Sequence, residues 1–166
     1  MTLLQPLIEQ RADPFILRHT DGYYYFTASV PAYDRIEVRR SKTIAGLPSA
    51  KTVDVWRKPD SGRYSELIWA PEIHHHEGRW YVYFAAAPSR EIKDALFQHR
   101  MYAVSTDSAH PLEGRWSEPV QIETGMDSFC LDATTFRHNG TLYYVWAQKD
   151  PKIRGNSNLY IAAMAT

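Results

Sequence analysis

The sequence predicts an all-β fold made of repeated antiparallel sheets, and three observations support this prediction. Twenty-two of the 166 residues are Phe, Trp or Tyr, which favour strands over helices. Ten prolines interrupt any long helix. The apolar residues lie in short runs behind turn signals and show no sustained helical period; these runs span residues 23–28, 80–87, 142–147 and 159–164. The exception is segment 90–100, whose apolar residues suit one or two amphipathic helical turns within a loop.

A hairpin motif occurs three times along the chain. In each copy an acidic residue opens a short strand, a turn ending in Gly follows, and an aromatic strand returns. The turn glycines Gly22, Gly78 and Gly140 are separated by 56 and 62 residues. Asp-Gly and Asn-Gly pairs suit tight hairpins because both positions tolerate positive φ. Hairpins are therefore expected over residues 12–26, 70–84 and 131–146.

Further strands are expected after each hairpin. Third strands are predicted at residues 36–41, 101–106 and 159–163, and fourth strands at 52–56 and 120–123. Four antiparallel strands per repeat of about 60 residues are typical of the blades of a β-propeller. The predicted blades cover about 10–60, 66–124 and 128–166 of a single domain spanning 1–166.

The third predicted blade is unfinished, so the chain holds about two and three-quarter blades, whereas a propeller closes with about four to eight. Exposed strand edges and apolar faces invite a partner. Two ways of completing the ring are expected. Either a longer chain supplies the missing blades, or a second copy of this chain joins it as a homodimer.

Three carboxylates are predicted to face one cavity, because the inner strand of each blade lines the central channel. They are Asp13, Glu72 and Asp132, and convergent carboxylates suit acid–base chemistry. Each has a structural alternative. Asp13 can form a turn before Pro14, Asp132 can be an N-cap or a buried hydrogen-bonded acid, and Glu72 can hold the fold through hydrogen bonds.

Nearby aromatic residues leave the same choice open. Trp69 is either core or a platform on which a sugar ring stacks, and Phe15 is either core or the apolar wall of a pocket. In the run His74, His75 and His76, only alternate side chains share one side of a strand, and two histidines without a third ligand make a weak metal site. No metal site is therefore predicted. Cys130 is expected to be a small buried residue.

Composition excludes several functions and suggests a location. Nineteen basic and nineteen acidic residues give no net charge, which removes the usual electrostatic drive toward nucleic acid or an anionic membrane. The longest apolar run, 80–87, is too short to span a bilayer. The single cysteine excludes an internal disulfide and the N-terminus lacks a basic segment, so a cytoplasmic protein is expected.

Four segments carry a resemblance to a known family. They are Arg11–Phe15 with Asp21–Tyr25, Ile68–His74, Phe129–Thr134, and Trp146–Lys149 with Gly155–Tyr160. The first three resemble glycoside hydrolase family 43. The fourth is similar to the exo-acting α-L-arabinofuranosidase and arabinanase members of that family.

The resemblance implies a five-bladed propeller that hydrolyses arabinose-containing polysaccharide by inversion and requires no cofactor. Asp13 matches the general base. Asp132 matches the auxiliary carboxylate, which orients the general acid and raises its pKa. Trp69, Phe15 and Glu72 are the candidate substrate contacts. An axial cation, held by a His of a later blade, is possible in the complete propeller.

The same resemblance places the general acid, a Glu, in a fourth blade beyond residue 166. Because general acid catalysis contributes about 10²–10⁴-fold, the 166-residue chain alone is expected to be impaired. Arabino-oligosaccharide or arabinan is the expected substrate, and β-xylosidase activity is less favoured. A carbohydrate-binding propeller without catalysis is the alternative.

Overall fold

The computed structural model describes residues 6–164, which form three consecutive antiparallel sheets. Sheet A has the strand order β1-β2-β3-β4. Its strands are β1 (Ala12–Arg18), β2 (Tyr24–Ser29), β3 (Arg35–Ser41) and β4 (Thr52–Arg57). A 3₁₀ turn, Ile44–Gly46, joins β3 to β4, and the Thr43 hydroxyl caps it by accepting from the Gly46 amide. Within residues 6–164 no helix is long and apolar enough to cross a membrane.

Sheets B and C follow the same pattern. Sheet B has the order β10-β9-β6-β5, and sheet C the order β11-β12-β13. Their strands are β5 (Glu66–His76), β6 (Arg79–Ala87), β9 (Arg100–Thr106), β10 (Val120–Gln121), β11 (Cys130–His138), β12 (Thr141–Gln148) and β13 (Asn158–Ala163). The predicted third and fourth strands form within two residues of their expected bounds, and the all-β prediction is confirmed.

The segment predicted to make helical turns is a hairpin instead. It contains β7 (Ile92–Lys93) and β8 (Leu96–Phe97), joined by Asp94 and Ala95. These two residues have φ angles of 51° and 63°. Two consecutive left-handed residues reverse a chain as a type I′ turn does and cannot continue a right-handed helix.

The sheets pack side by side, with β5 between β1 of sheet A and β11 of sheet C. Between sheets A and B lies an apolar cluster that includes Tyr25, Ile36 and Trp80. Between sheets B and C lies a second cluster that includes Met101, Tyr144 and the buried Cys130. Across residues 6–164 the sheets follow one another without closing a ring, so the number of blades stays a prediction.

One face of sheet C leaves apolar side chains exposed. Phe136 pairs with Tyr143 on this face, and Ile161 pairs with Val145. Phe136, Ile161 and Leu159 are 43%, 60% and 82% exposed. We call these three residues the open face of sheet C. Apolar side chains clustered in this way are typical of a surface that another element covers.

His99 gives the fold a dependence on pH. Its ring is fully buried and stacks on Trp69 at a centroid distance of 4.0 Å, and its Nε2 donates to the Leu67 carbonyl at 3.0 Å. Burial lowers the pKa of His99 to about 4. Between pH 6.5 and pH 4 the unfolded chain therefore binds a proton that the folded chain does not. We therefore expect the free energy of unfolding to decrease as the pH is lowered from 6.5 to 4, by about 3 kcal/mol at pH 4.

Urea unfolding at pH 7 and pH 4.5 measures this effect. His99→Gln keeps a donor but cannot titrate in this range, so it should lose part of the pH dependence. His110→Gln, a change at an exposed imidazole, should keep all of it. Equal pH dependence in the wild type and His99→Gln would contradict the assignment.

Candidate active site

The first strand of every sheet carries a β-bulge at the same place. The pairing register shifts between Ala12 and Phe15 in β1, between Trp69 and Glu72 in β5, and between Leu131 and Thr134 in β11. The residues that begin these bulges are Asp13, Ala70 and Asp132, with φ angles of 51°, 45° and 52°. A bulge re-aims the side chain that it carries. Asp13 and Asp132 therefore occupy matching positions in sheets A and C.

Glu72 does not match those two aspartates. It lies two residues after Ala70, within a strand that begins at Glu66, and it pairs with Tyr83. The expectation that Glu72 opens the inner strand of sheet B is wrong, because the bulge at Ala70 takes that position. Glu72 is thus the first residue of β5 to pair regularly after the bulge, two residues beyond Ala70.

The charges of two of these carboxylates act on the third, Asp132. The pKa of Asp132 is raised, first by partial burial and then by the negative charges of Asp13 and Glu72. The side chains of Asp13 and Asp132 are nevertheless exposed, and Glu72 keeps a quarter of its side-chain surface in solvent. A carboxyl group with a raised pKa beside further carboxylates is an arrangement that supports acid–base chemistry.

Asp13 is held from both sides of its bulge. Its Oδ2 accepts a hydrogen bond of 2.8 Å from the hydroxyl of Ser29, which is buried at the end of β2. The preceding Arg11 donates through Nε to Oε1 of Glu37 at 2.9 Å. Glu37 is buried in β3 and also accepts from Arg35 at 3.3 Å. The start of β1 is therefore fixed to two other strands of sheet A.

Glu72 belongs to a polar row along β5. Nε2 of the buried His74 donates to Oε2 of Glu72 at 3.0 Å, and the rings of His74 and His76 stack at 5.6 Å. His76 lies within hydrogen-bond distance of Thr135 in sheet C, at 2.8 Å. Burial, and then the charge of His74, lower the pKa of His76 to about 4. His75 points to the other side, against Trp80 at 4.8 Å, as strand alternation predicts.

This row does not suit a cation. His74 and His76 already face Glu72 and Thr135, and among residues 6–164 no three His, Cys, Asp or Glu side chains are grouped as ligands. A protein metal site needs more ligands than two histidines supply. The axial cation was expected on a His of a later blade, so it stays a prediction for the complete propeller.

The two aromatic candidates both pack against histidine rings. Phe15 contacts the His74 ring at a centroid distance of 4.8 Å. Trp69 stacks on His99, and its edges meet Tyr33 at 5.9 Å and Phe97 at 5.4 Å. One face of the indole is thus already covered by an imidazole. Both Phe15 and Trp69 remain partly exposed.

Comparison with known proteins shows to which family the chain belongs. The family model described as glycosyl hydrolases family 43 matches residues 3–166. The chain belongs to glycosyl hydrolase family 43. The resemblance carried by the short motifs is confirmed, as is the prediction of a glycosidase fold.

Several relatives in family 43 are alike over nearly the whole chain. An extracellular exo-α-(1→5)-L-arabinofuranosidase of Streptomyces avermitilis is 50% identical over 165 residues, covering 99% of this chain and 34% of the relative. Alpha-L-arabinofuranosidase 43 of Humicola insolens is 50% identical over 159 residues, covering 95% of this chain and 32% of the relative. The crystal structure of an α-L-arabinofuranosidase from Lactobacillus brevis superposes with a TM-score of 0.93 at 57% identity, covering 97% of this chain and 51% of that one. The chain thus spans a third to a half of these relatives.

The cytoplasmic location expected from the sequence is wrong. The Streptomyces avermitilis relative and a second one from Streptomyces chartreusis, 46% identical, are both named extracellular. A lone cysteine cannot form an intrachain disulfide in any compartment, so its presence does not distinguish the cytoplasm from the exterior.

Proposed function

We propose that this chain forms the N-terminal part of an α-L-arabinofuranosidase that releases arabinose from arabino-oligosaccharide or arabinan with inversion. The observation that carries the proposal is the pair Asp13 and Asp132, set on matching bulges of sheets A and C and coupled through their charges. Relatives at 46–57% identity that are named α-L-arabinofuranosidases support the choice of sugar.

Asp13 is the proposed general base. Its carboxylate takes a proton from a water molecule, whose oxygen attacks the anomeric carbon while the glycosidic C–O bond breaks. The leaving oxygen takes a proton from a general acid, proposed to be a Glu in a later blade. In inverting enzymes base and acid are about 6.5–9.5 Å apart, which leaves room for the water. Side chains from different blades around one channel suit this separation.

Asp132 is the proposed auxiliary carboxylate. A negative charge beside the general acid raises the pKa of that acid, so that it still carries its proton near neutral pH. Glu72, held by His74, is proposed to contact the sugar at the channel wall, with Phe15 and Trp69 beside it. The proposed reaction uses no cofactor.

The proposed architecture is a five-bladed propeller, with blades at about 10–60, 66–124 and 128–166. The open face of sheet C, where Phe136, Leu159 and Ile161 are exposed, supports at least one further blade, and the number five is what the family resemblance implies. A following blade would cover this face as sheet B covers one face of sheet A. A second copy of the chain is the other way to cover it, and the mass in solution distinguishes the two.

Product analysis tests the proposal on the protein that carries this chain at its full natural length. We expect arabinose from linear α-1,5-linked arabino-oligosaccharides and no xylose from xylo-oligosaccharides. Proton NMR during the first turnovers should show the β-anomer, because inversion reverses the α-configuration of the substrate.

Other outcomes would replace the proposal. Release of xylose alone would indicate a β-xylosidase. Binding of arabino-oligosaccharide by folded protein, without cleavage, would indicate a carbohydrate-binding propeller. Release of the α-anomer would contradict inversion.

A further inference from the structure

A buried hydroxyl joins the bulges of sheets A and B. Ser29 is the last residue of β2, pairs with Ala12 and is 2% exposed. Its Oγ accepts a 2.8 Å hydrogen bond from the Ala70 amide and donates a 2.8 Å hydrogen bond to Oδ2 of Asp13. One atom thus contacts the residue that begins each bulge.

The direction of the Ser29 proton follows from its two partners. A backbone N–H can only donate, so the hydroxyl must accept from Ala70, and its single proton is left for Asp13. A hydroxyl that donates to a carboxylate makes a charge-assisted hydrogen bond, which is stronger than a neutral one. Oδ2 of Asp13 therefore already accepts one strong hydrogen bond, whereas Oδ1 accepts none from residues 6–164, which makes Oδ1 the better oxygen to take a proton from water.

Across residues 6–164, Ser29 is the one side chain that hydrogen-bonds to Asp13, and no cation forms an ion pair with the carboxylate. Asp13 and Ala70 both have positive φ angles, at 51° and 45°. Such conformations persist where the surrounding structure holds them. Ser29 provides that hold at both positions.

We infer that Ser29 is the positioning residue of the active site: it fixes the Asp13 carboxylate, leaves Oδ1 free for the attacking water, and ties the base to sheet B through Ala70. This inference rests on the proposed role of Asp13. A base misplaced by about 1 Å can slow a reaction by about 10²-fold. The effect should therefore appear in kcat more than in KM.

The test compares two buried serines in the full-length protein. Ser29→Ala should lower kcat for arabinose release by about 10- to 100-fold and change KM by no more than about threefold. Ser29→Thr keeps the hydroxyl and should recover most of kcat. The matched control is Ser65→Ala: Ser65 is also 2% exposed, its hydroxyl shares one proton between the Gly62 and Pro88 carbonyls at 2.9 and 3.1 Å, and it makes no hydrogen bond to Asp13, Glu72 or Asp132. It should melt at a lower temperature and keep kcat.

Crystal structures of the wild type and Ser29→Ala supply a measurement independent of activity. A rotated Asp13 carboxylate in Ser29→Ala supports the inference, and an unmoved carboxylate overturns it. Full kcat in Ser29→Ala, or an equal loss in Ser65→Ala, also overturns it. An inactive wild type would instead overturn the proposed function, and the carboxylate position would then decide the role of Ser29 alone.

Discussion

Asp13→Asn is expected to lower kcat for arabinose release by about 10²–10⁴-fold, the usual contribution of a general base. The amide has the size of the carboxylate, and its oxygen can still accept from the Ser29 hydroxyl, which donates at 2.8 Å in the wild type. The side chain should therefore keep its place while losing the ability to take a proton from water. Because sugar contacts are unchanged, KM should stay close to that of the wild type.

Steady-state rates on a linear arabino-oligosaccharide measure this loss in the full-length protein. Asp107→Asn is the matched control, since Asp107 is 84% exposed beyond the end of β9, where it pairs with Arg79. It should keep the wild-type rate. Wild-type kcat in Asp13→Asn would remove Asp13 from the chemistry and point to another base.

The strands could be predicted from the sequence because their signals are local. Positive φ at Gly22, Gly78 and Gly140 was implied by the turn residues, and all three glycines adopt it, at 84°, 76° and 81°. A continuous aromatic run of five to eight residues suits a strand, because both faces of a strand between packed sheets are buried, whereas a helix of that length buries only one side. The prediction of helical turns over residues 90–100 was wrong, because the apolar spacing of a short hairpin resembles that of a helical turn. The reversal at Asp94 and Ala95 has no distinct sequence signal.

The alignment of the acids could not be predicted from acidic residues alone. Glu72 is the first acid of the hairpin predicted over residues 70–84, but the bulge that matches Asp13 and Asp132 begins at Ala70. A bulge moves the register by one residue, and the spacing of acidic residues along the chain does not show where it begins. A comparison centred on the Pro residues, Pro14 and Pro71, would have found the match, since each follows the residue that begins its bulge.

Contacts between sheets could not be predicted either, because they depend on how strands distant in sequence pack together. Ser29 meets Ala70 across 41 positions of sequence, and His76 meets Thr135 across 59. Neither residue carries a local signal: Ser29 closes an apolar strand, and His76 belongs to a run that suggests metal binding. Their roles follow from how the sheets pack, which periodicity does not encode.

Asp132→Asn is expected to have opposite effects on activity and stability. The auxiliary charge is lost, so the general acid should ionise at lower pH and kcat should fall by about 10²-fold or more near neutral pH. The basic limb of the rate profile should move to lower pH for the same reason.

The stability effect follows from the sign of the pKa shift. Burial, together with the charges of Asp13 and Glu72, raises the pKa of Asp132 in the folded chain above its usual value of 3.8. Above that folded pKa the ionised side chain repels its neighbours, which destabilises the folded state; below pH 3.8 the carboxyl is protonated in both states and the penalty is absent. Asp132→Asn should therefore raise Tm at pH 7, and the gain should disappear in acid.

Thermal melts at pH 7 and pH 3.5, with rate profiles on the same samples, separate this role from a structural one. Asp127→Asn is the control: Asp127 is 90% exposed and pairs with Arg100 at 2.7 Å, so its loss should leave kcat unchanged and should not raise Tm. A structural carboxylate would lower Tm when replaced, because its partners would lose an acceptor. A lower Tm at pH 7 with kcat unchanged would show that Asp132 has a structural role only. A higher Tm with a slower reaction is the expected result for a carboxylate whose charge serves catalysis and destabilises the fold.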